Sequence, residues 1–135
     1  KDNSKLLYDG KKSKNKIPYN PHFIEPKQDG AKRLMIHKES EVEMVAIAYH
    51  IPAFDHEDQA TLSAISEILS SGKSSRLYKE LVVDNPMVNQ VYAYNMENKD
   101  PSLFLFLASC NPNVKAEDVE AKLLEQINKL KTELV

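Results

Sequence analysis

The six residues Leu103-Phe104-Leu105-Phe106-Leu107-Ala108 are all apolar. A membrane-spanning helix needs about 20 such residues, so this run has the length of a strand. An alternating strand hides one side of its pleat. A strand apolar on both sides belongs inside a sheet. The chain must therefore supply neighbours for Leu103–Ser109, and the search for them organises the rest of the sequence.

One neighbour lies just upstream. Asn89–Met96 alternates, with Gln90, Tyr92, Tyr94 and Met96 on one face and Val91 and Ala93 on the other. Asn98-Lys99-Asp100-Pro101 is turn chemistry, so these two strands form a hairpin. A second pair precedes them. Lys32–His37 reads as a short strand and Val42–Ile51 as a longer one, ended by Pro52. In the longer strand Val45, Ile47, Tyr49 and Ile51 share one face, and Met44, Ala46 and Ala48 share the other. Apolar residues on both faces predict a central strand, covered at least partly on both sides.

Helices fill the remaining stretches. Asp55 is placed to cap a helix from His56 to about Ser70, whose buried stripe is Leu62, Ile65, Ile68 and Leu69. Gly72 is the stop. Ser74 or Ser75 then caps a second helix reaching about Val83, with Leu77, Tyr78, Leu81 and Val82 inward, before Asn85-Pro86 breaks it. A last helix begins near Lys115. Val119, Leu123, Ile127, Leu130 and Leu134 fall on one face of it, and Glu125 and Lys129 form a surface pair. The expected fold is α+β, in the order β-β-α-α-β-β-α, with a mostly antiparallel sheet and helices packed on one face.

The 135 residues suit one domain, and 41% hydrophobic content suits a globular core. Residues 1–27 read as a leader or linker, broken by Pro18, Pro21 and Pro26, and residues 28–135 as the α+β domain. Ten of the 18 Lys/Arg but four of the 20 Asp/Glu lie in residues 1–38. Such a basic leader fits a nucleic-acid arm or a solvated linker. The run Lys11, Lys12, Lys14, Lys16 lacks interleaved aromatics, and the net charge of −2 gives no reason to expect nucleic acid. No segment has the length of a membrane span. The chain begins at Lys1 and closes on what reads as mid-helix, so the expectation is a piece of a longer protein.

Chemistry is sparse. Cys110 is the single cysteine, and the four histidines, His22, His37, His50 and His56, show no helical metal-ligand spacing. No nucleophile elbow or dinucleotide fingerprint occurs. Gly72-Lys73-Ser74 suggests a phosphate loop, but Glu67 stands where the first glycine of that motif belongs, and a helix, not a strand, precedes it. The stretch Ser70-Ser71-Gly72-Lys73-Ser74-Ser75 is either a donor-rich turn able to hold an extended peptide backbone or a plain helix connector.

One stretch adds a resemblance. His50-Ile51-Pro52-Ala53 leads to His56-Glu57-Asp58, then Leu62–Leu69, then Ser71-Gly72-Lys73-Ser74-Ser75-Arg76-Leu77-Tyr78-Lys79-Glu80-Leu81-Val82. This resembles the C-terminal, non-catalytic half of the pitrilysin/insulinase family of zinc metallopeptidases, in which a strand, a Pro-containing turn and a helix precede a GGGRSSRL(Y/F)xxL stretch. The resemblance covers roughly Gly30–Val135. It implies two homologous halves closing over an extended peptide, with zinc held in the other half by an inverted H-x-x-E-H motif that is absent here. It therefore implies no cofactor in this chain and no peptide hydrolysis by it alone. The implied partners are the homologous catalytic half, on the same chain or on another subunit, and an extended peptide substrate. Ser74, Ser75, Arg76 and Asn89 are the implied substrate-binding residues. Arg76 has a competing use in a structural salt bridge. The Arg and Tyr that active members extend toward substrate fall on Val82 and Asn89. That departure suits a clamp, or a structural or regulatory subunit without proteolytic activity. Bacterial periplasm and cytoplasm both fit.

Overall fold

The computed structural model describes residues 26–36 and 39–133. The chain divides into two compact units, Lys1–Ile36 and His37–Val135. In the first unit residues 26–36 carry no regular secondary structure, and Leu34, Met35 and Ile36 are exposed. The leader expected over residues 1–27 lies mostly outside the described residues.

The second unit has the order β1 (Met44–Ile51), α1 (Gln59–Ser70), α2 (Arg76–Tyr78, continuing as a π-helical segment, Lys79–Asp84), β2 (Val88–Asn95), β3 (Ser102–Cys110) and α3 (Ala116–Thr132). The α+β class and the antiparallel sheet are those expected. The strand expected at 32–37 is missing over its described residues, 32–36, so the order is β-α-α-β-β-α. Lys32–Ile36 lacks the alternation that gives a strand one face to bury, and no core residue comes from it.

The sheet order is β1-β3-β2, all antiparallel. The apolar strand is thus central, with Tyr49 opposite Phe104 and Ile47 opposite Phe106 on one side, and Ala93 opposite Phe106 on the other. β1, expected to be central, is an edge strand among the described residues.

The helices pack on one face of the sheet. Beneath them lie Val45 and Ile51 from β1, Val91 and Ala93 from β2, and Phe104, Phe106, Ala108 and Cys110 from β3, sealed by Leu69, Leu77, Leu81, Val119 and Leu123. Phe104 and Phe106 pack with ring centroids 5.1 Å apart, and Tyr49 meets Phe106 edge-on at 6.1 Å. Among the described residues no helix of the second unit covers the opposite face. It carries Tyr92 and Tyr94, both exposed, flanking half-buried Leu105 and Leu107 in the paired rows Ala46-Leu107-Tyr92 and Ala48-Leu105-Tyr94. One covered and one open face is a common condition for an antiparallel sheet.

The helix ends differ from expectation in an informative way. α1 starts at Gln59 rather than His56, and neither Asp55 nor Asp58 caps it by its side chain. Instead Gln59 Nε2 donates to the carbonyls of Pro52 (2.7 Å) and Ala53 (3.2 Å), tying the helix start back to the end of β1. Gly72 ends the helix as expected, with φ of +75°, where a side chain would be strained. α3 has Lys115 at its N-cap, and Glu43 stands in as the cap by accepting the Ala116 N–H. The Glu125–Lys129 pair forms at 2.8 Å. Leu134 lies outside the described residues.

Candidate functional site

The expected substrate-binding residues sort into two pairs. Ser74 is exposed on the turn between α1 and α2. Ser75 occupies the N-cap position of α2, as expected of Ser74 or Ser75, but its hydroxyl makes no capping hydrogen bond. It is buried, 5% exposed, and its Oγ has no partner. The Ser75 carbonyl accepts the Lys79 N–H at 3.0 Å, which opens the helix. Arg76 makes the salt bridge that competes with a substrate role, since its Nη2 donates to Glu133 Oε2 at 2.8 Å. That bond ties α2 to the end of α3.

Asn89 lies on another element. The pairing of β2 with β3 steps from Val88 opposite Cys110 to Gln90 opposite Ser109, so Asn89 is the extra residue of a β-bulge. Bulges redirect a side chain out of the regular pleat, and Asn89 is exposed. No hydrogen bond or ion pair joins it to Ser74, Ser75 or Arg76 among the described residues. Between them the backbone runs as a π-helix, with the Asn85 N–H donating to the Glu80 carbonyl at 3.0 Å. Such widened turns recur at functional sites. This one holds Val82, the position of the implied Arg, and nothing in the helical periodicity announced it.

A polar cluster that sequence spacing did not reveal lies between α1 and β2. Asn95 Nδ2 donates to Gln59 Oε1 (3.0 Å) and Ser63 Oγ (3.1 Å), and Ser63 Oγ donates to Glu97 Oε1 (2.7 Å). Ser70 Oγ donates to the Ala93 carbonyl at 2.9 Å, with the Ser66 carbonyl of its own helix also within reach at 3.2 Å. These groups border a notch of about 350 Å³ lined by serines, Glu67, Glu97 and Asn95. Gln59 and Asn95 are both buried, as polar residues seldom are without a partner.

The remaining ionisable groups offer little catalytic chemistry. Burial, and then the charge of Glu43, push the Cys110 thiol up, which holds it protonated and unreactive. His56 Nδ1 accepts the Asp58 N–H at 3.2 Å, a local turn contact. No group of three or more His, Cys, Asp or Glu able to hold a metal occurs among the described residues, so nothing in them fits zinc. No helix among them is long and apolar enough to cross a membrane.

An antiparallel sheet backed by helices on one face, with no three-residue metal-ligand cluster among the described residues, defines an α+β domain. Comparison with known proteins gives its kind. The family described as the peptidase M16 inactive domain matches residues 4–135. A Helicobacter pylori (strain ATCC 700392 / 26695) protein named zinc protease PqqE is 46% identical over 112 residues, covering 82% of this chain and 25% of that protein. The crystal structure of a protease from Helicobacter pylori superposes with a TM-score of 0.89 at 40% identity, covering 97% of this chain and 32% of that one. This chain belongs to the M16 peptidase family, within its inactive domain, which agrees with the pitrilysin/insulinase resemblance in the sequence. It spans about a quarter to a third of the length of these relatives.

Proposed function

We propose that this chain is the substrate-clamping portion of the non-catalytic half of a zinc metalloendopeptidase. The observation that carries the reading is the open face of the sheet. In a chain of this family, a face bearing Tyr92, Tyr94, Leu103, Leu105 and Leu107, left uncovered by its own helices, suits an extended peptide held against a second, catalytic half. Zinc and the water it activates belong to that other half, on the same chain or on a partner subunit. This half contributes binding and orientation.

Within it the exposed pair, Ser74 and Asn89, meets the peptide directly, and Ser75 and Arg76 hold the turn that presents Ser74. An asparagine at the bulge donates to and accepts from a peptide backbone, although it cannot supply the phenol that active relatives use.

A photo-crosslinking residue at Tyr92 in the full-length parent protein tests the reading. Metal-free protein incubated with a labelled extended peptide should crosslink at this position, and excess unlabelled peptide should compete. Labelling at a solvent-facing helix position instead, with none at Tyr92, would contradict it.

Val82 and Asn89 favour a second reading, a structural or regulatory subunit of the same fold with no proteolytic activity. The two part on the H-x-x-E-H motif, which the first requires in the parent or its partner.

A further inference from the structure

We propose that the open face of the sheet selects uncharged, apolar side chains at alternate positions of the bound peptide, an inference that rests on the peptide-clamping reading above.

The case begins with what the face lacks. Its central rows, Ala46-Leu107-Tyr92 and Ala48-Leu105-Tyr94, continue to Met44 opposite Ser109 at one end and His50 opposite Leu103 at the other. On β2, Gln90 lies opposite Ser109, and the Met96 N–H donates to the Leu103 carbonyl. None of these positions is Asp, Glu, Lys or Arg, although 28% of the chain is. The solvent side of α3 shows the contrast, with Glu117, Asp118, Glu125 and Lys131 exposed. The face is also accessible. Met44 is 69%, Tyr92 52% and Tyr94 60% exposed, and Ala46 and Ala48 are exposed as well. An exposed surface that is depleted of charge and carries Tyr and Met has the composition of a binding surface.

The relief of the face names the occupant. Ala46 and Ala48 on β1, with half-buried Leu105 and Leu107 on β3, make a low floor. Tyr92 and Tyr94 on β2 rise along one side of it, and β1 is an edge strand among the described residues, so the other side is open. Neighbouring strands lie about 4.8 Å apart, which makes the floor about 10 Å wide, room for one extended chain. A flat partner surface resting on the tyrosines would leave a void over the alanines. Residues that share a face of β1 recur about every 6.8 Å, which is also the repeat of an extended peptide. Side chains at i and i+2 of that peptide each meet one row, and the side chain between them points away. An apolar side chain is favoured there because it leaves water, whereas a charge loses hydration and meets no opposite charge. Both signs of charge are therefore disfavoured alike, unlike attraction by a charged surface. The tyrosine hydroxyls remain to bond the peptide backbone.

The test uses the full-length parent protein, freed of metal so that peptide is bound but not cut. Short fluorescent peptides on a serine-alanine background carry leucine at i and i+2, stepped along the chain. At one register, exchanging the leucines for glutamate or for lysine should each weaken binding about tenfold or more. The same exchange at the residue between them should change it less than about threefold. Ala48→Lys should then weaken the leucine peptide and strengthen the glutamate peptide, leaving the lysine peptide weak. Ala46→Lys repeats the test one row away, and thermal melts show that each variant is folded. A penalty for only one sign of charge, no penalty at any register, or a pattern unchanged in both lysine variants would overturn the proposal. A lowered melting temperature in both variants with the peptide pattern intact would also overturn it, and would give the face to the partner half. If peptides bind without alternation, and Ser74→Ala and Asn89→Ala still weaken them, only the apolar selection is lost. If no peptide binds, the clamp is lost with it.

Discussion

Arg76 and Glu133 are joined by a 2.8 Å ion pair across 57 residues of sequence, linking the first residue of α2 to the residue that closes α3. The pair is partly exposed, so its contribution is modest. Arg76→Ala and Glu133→Gln should each lower stability by less than about 1 kcal/mol, with a coupling of about 0.2–1 kcal/mol in a double-mutant cycle that shrinks in high salt. Chemical denaturation measures both. A coupling near zero at low salt would mean that Arg76 is held by packing alone.

The two faces of the sheet should respond differently to truncation. Phe104 and Phe106 are each 3% exposed, and replacing either by alanine should cost about 3–5 kcal/mol. Tyr92→Ala, on the open face, should cost about 0.5 kcal/mol or less. Denaturant midpoints check this, and equal losses at the three positions would put the covered face in the wrong place.

Asn95 joins β2 to α1 through Gln59. Asn95→Ala should destabilise by about 1–3 kcal/mol because Gln59 Oε1 loses its buried donor. Replacing both residues by apolar ones should cost less than the sum of the single changes. Additive losses would mean that the two amides do not share one bond.

Lys122 bridges Glu80 and Glu125, each at 3.1 Å, and Lys129 reaches Glu125 at 2.8 Å. Lys129 and then Lys122 hold the Glu125 carboxyl below the usual carboxylate range, and hydrogen bonds to Glu80 and Glu125 hold the Lys122 ammonium above its own. A lowered carboxyl stabilises the fold above its unfolded pKa, and that stabilisation is lost as pH falls through the folded value. A raised ammonium stabilises below its unfolded pKa and loses the effect as pH rises through the folded value. The network should be intact between about pH 5 and 9. Lys122→Met should flatten the pH dependence of unfolding at both ends. An unchanged profile would leave the network without energetic weight.

The sheet was legible where side chains carry their own evidence of burial. Leu103–Ala108 announced a central strand because both sides of its pleat are apolar, and the Asn98–Pro101 turn announced its hairpin partner. Over its described residues, 32–36, the strand expected at Lys32–His37 does not form, because Lys32–Ile36 lacks the alternation that gives a strand one face to bury. Asp55 looked like a cap, yet the start of α1 is set by Gln59 reaching back to Pro52, a tertiary bond that no local pattern encodes. The same holds for the candidate site. Ser74, Ser75 and Arg76 stood out as a sequence motif. Nothing in that motif told that Ser75 is buried and Arg76 is paired, because Glu133 and the core beneath the turn are remote in sequence. The notch was illegible because Ser63, Asn95 and Glu97 meet only after α1 folds against β2.

The central claim is that this half binds peptide and leaves the chemistry to the other. Steady-state peptide cleavage by the full-length parent, as wild type and as Ser74→Ala and Asn89→Ala, tests it most directly. Both residues are exposed, so neither change should shift the melting temperature. The account predicts a KM raised about three- to tenfold with kcat nearly unchanged, the signature of lost binding. A kcat lowered at constant KM, or kinetics identical to wild type in both variants, would contradict it.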